Sequence, residues 1–180
     1  MKINNNTIEI FVVLTSLLLL TALLASTTYL SSESVFAVQT SVGQQKFSAQ
    51  LSGDQEVPPV QTNASGIAWF KSNQASLEFE FNVTDLQGTT MAHIHNAKQG
   101  EIGPPVVPLF KYDSPIILIN GKLASGNIIA NMLEGPMAGK QIANLTTAMK
   151  NSETYVNVHT QQNPTGEIRG QIMISSNSTR

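Results

Sequence analysis

From Leu77 to Val83 the chain reads Leu-Glu-Phe-Glu-Phe-Asn-Val, an unbroken alternation of apolar and polar side chains. Successive side chains of a strand point to opposite faces, so this period suits only an extended segment with one face in a core. Leu77, Phe79, Phe81 and Val83 are the inward set; Glu78, Glu80 and Asn82 are the outward set. Phe47-Ala49-Leu51 and Gly121–Ala130 alternate in the same way, and Gly66–Phe70, Met91–His95, Tyr155–His159 and Glu167–Ile174 read as further strands. The runs Pro105–Phe110 and Ile116–Ile119 are apolar and extended, with Asp113-Ser114-Pro115 between them. Pro58-Pro59 interrupts regular pairing after the first strand. Ser72-Asn73-Gln74 and Pro164-Thr165-Gly166 read as hairpin turns. Trp69 and Phe70 are expected in the core at a strand end. Only residues 131–150 change period, with Ala and Lys replacing β-branched residues and a helix expected near Gly139–Lys150. About eight short strands with one helical insertion predict an all-β antiparallel sandwich or barrel.

That β domain occupies residues 45–174. Before it, Ile10 to Leu30 contains no charged side chain. As a helix it matches the thickness of a bilayer core. Val35-Phe36-Ala37 places small or short residues where a signal cleavage site needs them. Residues 1–37 therefore read as a signal peptide or as an uncleaved signal anchor. Either one exports residues 38–180, and the membrane is touched only through residues 10–30 if cleavage does not occur. Residues 38–44 read as a linker and 175–180 as a tail. Asn63, Asn82, Asn144 and Asn177 each begin an N-glycosylation acceptor sequence, which export would permit.

Composition narrows the chemistry. There are no cysteines, which excludes disulfides, thiolate metal sites and a Cys nucleophile. A net charge of -2 with 12% charged residues excludes a nucleic-acid binder built on a basic patch. No Gly-x-Ser-x-Gly elbow and no phosphate-binding Gly pattern occurs.

The chain's 3 histidines all lie in the β domain. His93 and His95 form His-x-His, and in a strand both imidazoles share one face. If the strand bearing His159 approaches, three imidazoles meet and can hold zinc or copper with an open position. Glu56 and Glu167 are candidates for a fourth ligand or for orienting a histidine. Arg169 is a candidate for a buried bidentate contact, whereas Gln171 is expected on a solvated strand face.

The segments Phe47–Gly53, Gln55–Val60, Ala92–His95, Gly100–Val107, Tyr155–Thr160 and Asn163–Ile172 occur in an order and spacing that resembles the chordin-type (CHRD) domain family. The resemblance implies an extracellular β-sandwich or barrel of immunoglobulin-like or superoxide-dismutase-like form. In animals such domains occur in a secreted growth-factor antagonist; in microbes they stand alone or beside anchors. The family's pattern covers Glu56, His93, His95, His159, Glu167 and Arg169. The cysteine-rich modules of the animal protein are missing, so growth-factor antagonism does not carry over. His93-Ile94-His95 also looks like the copper-site strand of copper–zinc superoxide dismutases, without their His-rich zinc loop. The expected function is an extracytoplasmic binding or structural module meeting a cell-surface or extracellular partner, with a three-His metal site. The alternative is a copper or zinc protein with redox or storage activity. Whether the chain is an enzyme is left open.

Overall fold

The computed structural model describes residues 44–175, apart from Gln74. The hydrophobic run 10–30, the cleavage site, nearly all of the linker and tail, and Asn177 lie outside the described residues. Strands β1 (Lys46–Ser52), β2 (Ser65–Ser72), β3 (Ser76–Asn96) and β4 (Pro105–Ile129) precede helix α1 (Ile142–Lys150). Strands β5 (Thr154–Thr160), β6 (Ile168–Gln171) and β7 (Met173–Ile174) come after it. Pairing runs β2-β1-β6-β5-β3, and β2 pairs with β3 as well, so these five antiparallel strands close into a barrel. Closure leaves no open ladder edge within the ring. Among the described residues the fold is all-β with one α-helix, as the alternation and its break at 131–150 predict. Strand β4 lies along β3, and β7 adds to β1.

Closure depends on β3. Its first part, Leu77–Thr84, pairs with β2, and its last part, Thr89–Asn96, pairs with β5. Between them the ladder to β4 slips, and Asp85 and Gly88 take positive φ values of 53° and 64°. Such bulges bend a strand and re-aim its side chains. The segment Met91–His95 is thus the far end of a 21-residue strand, not a separate short one.

The core holds the expected inward set, with Leu77, Phe79, Phe81 and Val83 all buried. Phe81 meets Phe79, Phe70 and Phe110 edge-on at ring separations of 5.7, 6.3 and 6.4 Å. This geometry sets the positive ring edge against the negative face. Trp69 departs from expectation: it is 41% exposed while Phe70 is buried. Neighbours in a strand cannot both face inward, and parity gives the core to Phe70. Strand β4 runs through Asp113-Ser114-Pro115 without a break, because its ladder to β3 continues beyond the bulge. Within the expected apolar run, Ile117 is 88% exposed. The helix starts at Ile142, later than Gly139, which sits at a positive φ of 74°. Asn144 Oδ1 accepts from the Gln141 N–H at 3.1 Å and closes its first turn. No helix among the described residues is long and apolar enough to cross a membrane.

Candidate metal centre

Three strands set the site. His93 of β3 lies across the ladder from Asn157 of β5, which lies across from Arg169 of β6. One row along, His95, Tyr155 and Gln171 align in the same way. Ladder partners share a face, so these side chains form one polar surface. The alternate residues Ala92, Ile94, Val156, Val158 and Ile168 are buried in the core on the other face. His159 comes two residues after Asn157 on β5 and joins the polar surface.

Three imidazoles converge there. Donor atoms of His93, His95 and His159 lie within 4.8 Å of one another and can hold a metal ion. His93 Nδ1 is 3.3 Å from His159 Nε2. An ion about 2.0–2.1 Å from each nitrogen, with tetrahedral angles, separates two of them by about 3.3 Å. That pair already has coordination spacing, and a gap of 4.8 Å must close by about 1.5 Å.

Backbone carbonyls fix two rings. His95 Nδ1 donates to Gly103 O at 2.9 Å, and His159 Nδ1 donates to Pro164 O at 3.0 Å. A carbonyl only accepts, so each Nδ1 carries the proton and each Nε2 keeps its lone pair. His95 Nε2 is buried with no hydrogen-bond partner among the described residues. Burial, with His159 and His95 beside it, drops the His93 pKa to about 4. Burial also lowers His95 and His159, against the upward pull of their carbonyl partners. All three are therefore neutral at pH 7, the form that binds metal.

The candidate carboxylates lie outside the converging group. Glu167 accepts from Thr62 Oγ1 at 2.6 Å, Thr160 Oγ1 at 2.8 Å and Asn163 Nδ2 at 2.7 Å. Burial raises its pKa, but these three bonds outweigh it and the net shift is downward. Glu167 thereby pins the turn whose Pro164 carbonyl orients His159. Glu56 is 7% exposed; its Oε2 accepts from Asn157 Nδ2 at 3.4 Å, and its Oε1 has no partner among the described residues. Burial lifts its pKa to about 7, with the Arg169 charge pulling the other way.

Among the described residues Arg169 makes no bidentate carboxylate pair. Its Nη2 donates to Glu101 O at 2.7 Å and Lys98 O at 3.3 Å, and its guanidinium lies 3.5 Å over the Tyr155 ring. Tyr155 in turn stacks on His95 at 4.9 Å and 12°. Gln171, expected in solvent, is buried, and its Nε2 donates to Ala97 O and Ser152 O. The 97–104 segment folds over this face, which the strand pattern alone does not reveal. Tyr155 and Asn157 also belong to the site, although the sequence pattern does not single them out; their parity with His159 is the available signal. Asn63 and Asn144 are exposed and Asn82 is half-buried.

Fold and site together define a closed antiparallel barrel domain with a histidine trio on one loop-covered face. The CHRD domain model matches residues 47–172, and the chain belongs to that family. No curated protein and no solved structure matches it.

Proposed function

We propose that this CHRD protein is an exported binding module whose barrel holds one transition-metal ion, copper or zinc, on His93, His95 and His159. The observation that carries this reading is the convergence of three neutral imidazoles within 4.8 Å. Two of them have their tautomers set by backbone carbonyls. Preset tautomers of this kind raise metal affinity by keeping the lone pairs on target. Export is supported by the uncharged run 10–30 and the small residues before position 38. Three nitrogen ligands leave a position for a further donor, which suits storage, delivery or redox use of the ion. Glu167, Glu56 and Arg169 act as supports for the turn and loop around the site, and exposed loops meet a cell-surface or extracellular partner.

The test is elemental analysis of the purified full chain beside His93→Ala and His159→Ala. Wild type should retain close to one equivalent of metal after dialysis, and each variant should lose most of it. Equal metal in all three samples overturns the site.

A further inference from the structure

Met91 lies directly across the β3–β5 ladder from His159. It also precedes His93 by two residues on the same strand, so Met91, His93 and His95 occupy one face at alternate positions. Burial agrees with that parity: Met91, His93 and His95 are half-buried, while Ala92 and Ile94 between them are wholly buried. Ladder partners bring their Cβ atoms within about 4.5–5.5 Å. The flexible Met side chain can close the remaining gap to a centre bounded by His159 and His93.

We infer that the Met91 thioether is a fourth donor of this centre and makes it selective for monovalent copper over zinc and divalent copper. This rests on the three-histidine reading above. Thioether sulfur is a soft donor and favours Cu(I). The charge balance points the same way. All four donors are neutral. Glu167 is occupied by Thr62, Thr160 and Asn163, and Glu56 lies outside the converging group. A fixed positive charge stands close by: Arg169 sits over Tyr155, which stacks on His95. Burying charge on donors none of which is anionic grows steeply more costly as charge increases, so a 1+ ion is favoured over a 2+ ion.

The experiment uses the full chain under anaerobic conditions, with Cu(I) affinity measured by competition against a chromogenic Cu(I) chelator. Zn²⁺ and Cu²⁺ affinities are measured in parallel on wild type, Met91→Leu and His93→Ala. Met91→Leu conserves volume and apolar character. We expect wild type to bind Cu(I) at least about 100-fold more tightly than either divalent ion, the advantage a soft donor gives. Met91→Leu should lose about tenfold or more in Cu(I) affinity, with Zn²⁺ affinity and metal-free thermal midpoint unchanged. A tenfold loss confined to Cu(I) lowers the one-electron potential by about 59 mV. X-ray absorption of the Cu(I) form should show one sulfur scatterer, absent in Met91→Leu. If Met91→Leu keeps full Cu(I) affinity while His93→Ala abolishes binding, the inference about Met91 is overturned and the three-histidine site stands. If wild type binds none of the three ions, the underlying metal reading fails as well.

Discussion

His93 Nδ1 and His159 Nε2 stand 3.3 Å apart although they are 66 positions apart in the chain. Without a metal, the His93 Nδ1–H can donate to the lone pair of His159, whose own proton is committed to Pro164 O. Metal binding replaces that single bond, and the His93 proton moves to Nε2, so the rings stay neutral and release no proton near pH 7. The heat of loading should therefore be independent of buffer ionisation enthalpy near pH 7, with proton release appearing as pH falls towards the His93 pKa of about 4. A strong buffer dependence near pH 7 would show that one of the rings is held protonated.

The metal-free barrel should be sensitive to acid through His93. Its pKa falls from the ordinary 6.5 to about 4 in the folded state, so the unfolded chain takes up a proton first. The contribution to stability is complete above pH 6.5 and declines as pH drops towards about 4. His93→Gln should flatten that part of the thermal midpoint against pH curve. An unchanged slope would mean that His93 is not held neutral.

Glu56 acts with the opposite sign. Its pKa rises from 4.5 to about 7 on folding, so its contribution is present below pH 4.5 and is lost as pH climbs through 7. Glu56→Gln keeps an acceptor for Asn157 and carries no charge. Its thermal midpoint relative to wild type should therefore increase from about pH 4.5 to about pH 8.

Glu167 takes three donated hydrogen bonds, and a Gln in its place cannot accept all of them. Glu167→Gln should cost about 1–3 kcal/mol in chemical denaturation. Metal affinity should fall about 10- to 100-fold, because the turn bearing the Pro164 carbonyl loosens. A loss of stability with full affinity would separate the turn from the site.

Gly166 has a φ of 142°, and an added Cβ would collide with Asn157 and with Glu56 Oε1. Gly166→Ala should destabilise the domain by about 1–3 kcal/mol, read by urea unfolding. Gly100, also at positive φ but with nothing near its Cβ position, serves as the control for strain alone.

Strand parity is readable from the residues: Phe79 and Phe81 lie inside, and His93 and His95 share a face. The approach of His159 is not, since it is set by the β3–β5 register, and period two leaves the choice of partner strand open. Trp69 escapes the core because alternation with Phe70 overrides the aromatic preference for burial. The buried roles of Gln171 and Arg169 depend on carbonyls at 97, 98, 101 and 152, supplied by a loop and a helix end with no period to read. Pro115 reads as a strand break, yet at an outer strand a proline's missing donor faces no ladder partner.

Because Met91, His93 and His95 share one strand and His159 sits on the adjoining one, the centre is built from a single registered antiparallel pair and the two carbonyl-bearing segments beside it. The arrangement is therefore portable. Transplanting residues 89–96 and 154–160, with the two carbonyl-bearing segments that steer the imidazoles, onto another antiparallel barrel should carry the coordination geometry with it, whatever becomes of β4 and the helix.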